Sequence, residues 1–265
     1  MPASALMNVM VNAARKAGRS LARDFGEVER LQVSVKGPAN FVSAADHRAE
    51  EIIFYELSKA RPDYAFLMEE RGTVDGADKT HRWIVDPLDG TTNFLHGIPI
   101  FCIAIGLERD GQLVAGLIYL PILDELYTAE RGKGAFLNDR RIRVSARRHL
   151  TDAMLTTSIP HKGRPAPGHE RFYREMETLT KEATGIRRTG AAAVDLAWTA
   201  AGRFDAYWEH NIQPWDMAAG IVILREAGGL ATDLSGGGDM LSTGTIVAGV
   251  PTIQKALLEK LSASS

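Results

Sequence analysis

The chain has a single cysteine, no long apolar run and almost no net charge, and each shortage removes a class of function. One thiol, Cys102, cannot form an internal disulfide, and its setting in the apolar residues 100–107 marks it as an inert core group. So little cysteine suits a reducing cytoplasm. No stretch approaches the ~18 uninterrupted apolar residues of a membrane span. Near the start, Met7, Val9, Met10 and Val11 are broken by Asn8 and followed by Arg15, Lys16 and Arg19. A signal peptide puts its positive charge first, so a cytoplasmic location is expected rather than secretion. The net charge of -2 gives no general pull toward nucleic acid or anionic membrane. No linker, low-complexity tract or internal repeat divides the 265 residues.

What is present is ordinary globular material, 45% apolar and 24% charged, in a chain long enough to bury a large core. Leu6, Met10, Ala13, Ala17, Leu21 and Phe25 share one face of a first helix. Residues 31–36 alternate like a strand. Ser43 then reads as an N-cap, with Asp46 in the first turn and Ala49, Ile52, Ile53 and Leu57 as the buried face of a helix that Pro62 ends. A strand over 64–68 leads into Glu69-Glu70, a polar loop is expected over 71–81, and 83–85 is a strand. Residues 100–107 and 113–120 flank Asp110-Gly111, a strong hairpin signal. Residues 123–129 and 135–144 continue the strands, so the first half predicts two helices and then an antiparallel sheet.

The second half alternates. Phe172, Met176 and Leu179 mark a helix, and 191–201 is a small-residue helix stopped by Gly202. A strand follows over 204–208, then a helix over 214–227 with Pro214 at its start and Gly228-Gly229 at its end. A strand over 245–248 and a helix over 251–261 close the chain. The expected fold class is α+β, one layered domain over 1–265, with two lobes (1–150 and 151–265) meeting at a cleft that holds the active site.

Three acidic positions stand where a surface charge is out of place. Glu69 follows the apolar residues 65–68, Asp86 ends 83–85 with Asp89 three positions on, and Asp216 opens the hydrophobic helix 217–224. Strand ends and helix starts are where rigid elements present side chains to a cleft. Each has a plainer reading: Asp216 suits the helix dipole, a Glu-Glu pair before a loop is commonly solvated, and Asp-Gly is commonly a turn. The run Asp86-Pro87-Leu88-Asp89-Gly90-Thr91-Thr92 goes further. Carboxylates with no Cys or His nearby favour hard cations such as Mg²⁺, Mn²⁺ or Ca²⁺ over zinc. Pro87 stiffens the turn, and the Leu88 carbonyl can also face a metal. Gly90, Thr91 and Thr92 read as a helix start whose amides cradle phosphate. Two Mg²⁺ ions about 3.5–4 Å apart, bridged by shared carboxylates, are the usual device for phosphate-ester hydrolysis. No serine or cysteine in these motifs has a neighbouring base, so no covalent intermediate is expected.

The segment "WIVDPLDGTTNFLHG" (83–97), with "MEE" before it and "PWDMAAGIVILREAGG" after it, resembles the inositol monophosphatase family. The likeness runs from Lys36 to Gly249 and includes "ELYTAERGKGAFLN", "RRTGAAAVDLAWTAAGRFDAYWE" and "GTIVAG". The resemblance implies an αβαβα layered sandwich, a homodimer, and Mg²⁺-dependent, lithium-sensitive hydrolysis of a sugar or polyol monophosphate. It implies that Glu69, Asp86 and the Leu88 carbonyl hold one metal, that Asp86, Asp89 and Asp216 hold a second, and that a third, weaker Mg²⁺ sits near Glu69. Mn²⁺ would substitute, and Ca²⁺ and Li⁺ would inhibit. Catalytic roles fall to Glu69, Thr91 and Asp89, with Thr91 paired to Glu69 to orient the attacking water. Substrate contacts fall to Asp89, Gly90, Thr91, Ala192, Glu209 and Asp216, and Lys36 matches a basic residue of the loop that closes over the metals.

The sequence departs from the family where many members have Thr-x-x-Asp and Ser43 and Asp46 stand here. Asp46 either orients the site or compensates a helix dipole. His210, beside Glu209, either touches substrate or packs. Inositol monophosphate is the expected substrate, because Glu209 suits neighbouring hydroxyls. Fructose 1,6-bisphosphate, histidinol phosphate and nucleotide 3′-phosphates are the alternatives, and residues 159–169 belong to the loops that decide. Arg140, Arg141, Arg143, Arg147 and Arg148 crowd one segment, 140–148. They read as a solvated face, or else as a surface for RNA or an acidic partner in a non-enzymatic regulator.

Overall fold

The structure, a computed structural model, describes residues 4–27, 33–37, 40–160 and 167–263. Helix α1 (Ala5–Phe25) opens on Ser4, whose Oγ accepts the Met7 N–H at 3.0 Å. The strands β1 (Val33–Gly37) and β2 (Asn40–Ser43) pair as a hairpin, and α2 (Ala44–Ala60) packs on α1. Then come β3 (Tyr64–Met68), β4 (Gly72–Val74), β5 (Asp78–Asp89), the short α3 (Thr91–Leu95), β6 (Cys102–Arg109), β7 (Gln112–Leu120), β8 (Glu125–Glu130), β9 (Gly134–Leu137) and β10 (Arg140–Ile142). The second half runs β11 (Met154–Thr157), α4 (Pro167–Leu179), β12 (Gly185–Arg187), α5 (Ala192–Ala200), β13 (Ala206–His210), α6 (Pro214–Glu226), β14 (Leu230–Thr232), α7 (Met240–Thr243), β15 (Thr245–Gly249) and α8 (Pro251–Ala263).

An eight-stranded sheet has the order β10-β9-β8-β7-β6-β5-β3-β4, and a five-stranded sheet the order β12-β11-β13-β15-β14. Helices α1 and α2 cover one face of the larger sheet around Met10, Ile53, Trp83 and Ile103. Helices α5 and α6 fill the space between the sheets around Leu196, Tyr207, Ile221 and Tyr127. Helices α4 and α8 close the far face of the smaller sheet around Leu155, Trp208 and Leu257. The layers are therefore α, β, α, β, α, the sandwich that the family resemblance implied.

Helix α6 shows why its sequence is apolar on all sides: residues 217 to 224 are all buried, because both flanks of the helix meet protein. Its approach to the larger sheet is close. A Cβ added at Gly116 on β7 would stand 2.3 Å from the Ala219 carbonyl oxygen of α6, a distance only glycine avoids.

Several expectations need correction. Residues 71–81 are not one loop. Gly72, at φ 74°, turns β3 into β4, and β5 begins at Asp78. Polar side chains remain exposed there while ladder pairing, such as His81 with Arg109, organises the backbone. Residues 135–144 are not one strand. Asn138 and Asp139, at φ 45° and 65°, make the tight turn between β9 and β10. The first sheet is not wholly antiparallel, since β3 and β5 pair in parallel. The strands β11, β12 and β14 were unforeseen, being three or four residues long with too little periodicity to read. Residues 31 and 32 of the first expected strand lie outside the described residues.

Candidate active site

The parallel register of β3 and β5 brings the acids of two motifs together. Met68 pairs with Val85, and the Glu69 amide continues the ladder to the Val85 carbonyl at 3.3 Å, so Glu69 lies beside Asp86. Farther along β5, Asp86 faces Ala104 of β6 while Asp89 faces Cys102, so one extra residue bulges out between the aspartates. Pro87 suits that bulge because it has no N–H to leave unpaired. The bulge is pinned by the Leu88 N–H, which donates to Asp86 Oδ1 at 2.9 Å.

Gly90 then turns the chain at φ 94° as the N-cap of α3. A Cβ there would stand 3.0 Å from the Ile100 carbonyl oxygen and 3.2 Å from the Ala191 side chain. The Thr91 hydroxyl lies 3.1 Å from both Asp46 Oδ1 and the Leu88 carbonyl oxygen. The carboxylate it meets is therefore Asp46, where the family resemblance implied Glu69. Asp46 is almost wholly buried in the first turn of α2, so the orienting reading of Asp46 gains a contact that dipole compensation alone does not require.

Asp216 occupies the first turn of α6 and accepts the Gln213 N–H at 2.9 Å in a capping box. Asp89 Oδ2 accepts the Ala193 N–H of α5 at 2.7 Å, with the Cys102 thiol at 3.8 Å. Ala192 begins α5 next to that amide. On β13, Glu209 is buried and accepts the Tyr207 hydroxyl at 2.6 Å. His210 points to the opposite face of the strand, where Nε2 is 2.9 Å from Glu175 Oε1, so it packs against α4. The side chains of Lys36 and Ser43, and residues 161–166 of the 159–169 loop, lie outside the described residues.

Electrostatics tie these pieces into one site. Burial pushes Asp86 well above the usual carboxylate range, and the charges of Glu69, Asp89 and Asp216 push it further. Asp89 is raised likewise by burial, then by Asp216, against the opposing Ala193 amide, with Glu209 and Asp195 adding to the rise. The charges acting most strongly on both are carboxylates, an arrangement that a bound cation would relieve. All the donors are oxygens, which fits Mg²⁺ or Mn²⁺. Among the described residues, no three His, Cys, Asp or Glu side chains already stand in metal-holding geometry. Instead Asp86, Asp89 and Asp216 each turn an oxygen to a backbone amide. Cys102, pushed well up by burial and by Asp89 and Asp86, keeps its proton and is no nucleophile.

Three features of the site escaped the sequence reading. The Ala193 amide has no side-chain signature at all. Asp195, buried in α5, had one: an aspartate inside the apolar run "AAAVDLAW". Glu50, buried on α2, accepts the Glu70 N–H at 2.9 Å and so anchors the segment carrying Glu69.

Comparison with known proteins agrees with this geometry. The family model for the inositol monophosphatase family matches residues 3–265. An inositol-1-monophosphatase of Mesorhizobium japonicum is 61% identical over 259 residues, 98% of this chain and 97% of that protein. A Vibrio cholerae protein named Nus factor SuhB is 41% identical over 256 residues, 97% of this chain and 95% of that one. The crystal structure of extragenic suppressor protein suhB from Bartonella henselae superposes with a TM-score of 0.94 at 60% identity, covering 97% of this chain and 98% of the other. With aspartate motifs, layered fold and likeness along nearly all its residues in agreement, the chain belongs to the inositol monophosphatase family.

Proposed function

We propose that this protein hydrolyses a phosphate monoester with Mg²⁺, and that myo-inositol monophosphate is its substrate. The observation that carries the reading is the convergence of Glu69, Asp86, Asp89 and Asp216, from two strands and a helix start, beside the Gly90–Thr91 turn. Glu69, Asp86 and the Leu88 carbonyl would hold one ion, and Asp86, Asp89 and Asp216 a second, with a third near Glu69. When bound, Mg²⁺ neutralises the phosphate dianion and the leaving alkoxide and makes its water more acidic.

The chain's own groups do the rest. The Gly90 and Thr91 amides grip the phosphate. The Thr91 hydroxyl donates a hydrogen bond to Asp46 or to the Leu88 carbonyl, which leaves its lone pairs turned to accept a hydrogen bond from the attacking water. Glu69 orients that water from the other side. Glu209 accepts from substrate hydroxyls, with its carboxylate steadied by Tyr207, and Ala192 and Asp89 line the same pocket. The middle core joins both sheets, which supports one domain over 1–265 with the site between the 1–150 and 151–265 portions. A cytoplasmic homodimer is the expected setting. No helix among the described residues is long and apolar enough to cross a membrane.

The test is phosphate release from myo-inositol 1-phosphate, with fructose 1,6-bisphosphate, histidinol phosphate and a nucleotide 3′-phosphate alongside. Activity that vanishes with EDTA, returns with Mg²⁺ or Mn²⁺ and falls with Li⁺ or Ca²⁺ is expected, and myo-inositol 1-phosphate should lead the panel. A second reading, a non-enzymatic RNA- or protein-binding regulator, draws on the exposed Arg140 and Arg141 of the edge strand β10 and the exposed Arg143 and Arg148 of the segment that follows it. Arg147 is engaged with Asp205 at 3.2 Å. Folded protein that binds RNA and releases no phosphate under any of these conditions would decide for the regulator.

A further inference from the structure

A line of buried polar contacts runs behind the acids and ends at the amide that holds Asp89. Asn93, buried in α3, donates through Nδ2 to the Ile100 carbonyl at 2.7 Å and to the Thr189 carbonyl at 2.9 Å. Gly190, at φ 88°, makes that approach possible, since a Cβ there would stand 3.0 Å from both amide atoms of Asn93. The Thr189 hydroxyl brackets the next turn: it accepts the Ala191 N–H at 3.2 Å and lies 3.0 Å from the Ala191 carbonyl oxygen. The same hydroxyl is close enough to the Asp195 carboxyl to favour its charged form. Asp195, wholly enclosed within α5, accepts the Thr156 hydroxyl of β11 at 2.6 Å. Between these anchors lies Ala193, whose N–H donates to Asp89.

Packing alone does not call for these groups. A carboxyl inside an apolar helix is costly unless its hydrogen bonds are met, and an aliphatic side chain would fill the space more cheaply. Asn93 joins the loop that follows Asp89 to the turn that precedes Ala193, so both ends of the Ala193–Asp89 bond are fixed by one chain of contacts. We infer that Asn93 and Asp195 are positioning residues, which hold the first turn of α5 so that the Ala193 amide fixes the orientation of Asp89 toward the bound metal. This rests on the reading of Asp89 as a metal ligand. Groups that orient a metal ligand from behind typically change metal affinity or activity about 10–100-fold when removed.

The experiment compares wild type with Asn93→Ala, Asp195→Ala and Asp195→Asn. Calorimetry reads Mg²⁺ affinity, and hydrogen–deuterium exchange of the metal-free protein reads the amides of residues 191–193. The two alanine variants are expected to speed exchange at Ala193 and to weaken Mg²⁺ binding about 10–100-fold. Asp195→Asn, which keeps an acceptor for Thr156, should restore most of the affinity. If Asp195→Ala does not fold, Thr156→Val, which exchanges one hydroxyl for a methyl, takes its place. Variants that bind Mg²⁺ like wild type, or that lose affinity with exchange at Ala193 unchanged, overturn the inference alone. Wild-type protein that binds no Mg²⁺ overturns the functional reading and this inference with it.

Discussion

Asp89 is the residue on which most contacts of the site converge, with the Ala193 amide and the Cys102 thiol on Oδ2 and the charge of Asp216 close by. Replacing it with asparagine keeps the shape and removes the charge. We expect Asp89→Asn to lower kcat more than about a hundredfold at saturating Mg²⁺, as loss of a preorganised electrostatic group does; near-normal turnover would refute the assigned chemistry. The motif residues were legible because their side chains announce their chemistry. Thr91 and Asp46 were harder, since they meet across 45 positions of sequence and no local pattern records which acid a hydroxyl will find. A second residue-scale prediction concerns Glu175. Burial raises its pKa, but His210, Arg171 and Trp208 together outweigh burial and hold the carboxyl below its ordinary value. A depressed carboxyl contributes stability above the unfolded value, about pH 4.3, and loses it as pH falls through the folded one. The gap in urea midpoint between wild type and Glu175→Gln should therefore be full near neutrality and shrink in acid; a gap independent of pH would contradict this.

Among the elements, α6 has the tightest fit, entering between two sheets with Asp216 at its leading end. Its position is set partly by Gly116. Gly116→Ala should cost about 1–3 kcal/mol through overpacking against Ala219, read as a Tm lower by about 2–4 °C per kcal/mol. An unchanged Tm would mean that helix and sheet can separate freely. Helices α1, α2, α5, α6 and α8 were legible because each shows a sustained apolar pattern or clear end signals. The Asp110-Gly111 hairpin was legible for its turn chemistry, with φ 51° and 73° at its two residues. The short strands were not, because what makes β12 or β14 a strand is the neighbour it pairs with, Met154 or Val247, rather than anything within three residues of sequence.

At the scale of the whole molecule, the acids assigned to the cations come from the larger sheet and from the start of α6 packed behind it, so a cation binding there joins two layers rather than decorating one. Mg²⁺ should raise the stability of wild type by about 2.7 kcal/mol at a concentration one hundred times its Kd. Most of that gain should vanish in Asp89→Asn; thermal scans with Mg²⁺ and with EDTA check it, and equal gains in both proteins would exclude binding at this site. The layer order followed from family likeness, but the joining of the sheets through α5 and α6 depends on contacts between distant segments that no window of sequence displays. The strand that carries Glu209 illustrates what such joining entails. Glu209 pairs with Ile246 of β15, near the chain's end. A premature stop after Gly228 would spare every residue assigned to the site, yet strip β13 of its antiparallel neighbour and open the middle core where Ile246 and Ala248 lie. Such a truncated chain would keep the full set of chemical groups and lose the frame that lets them meet.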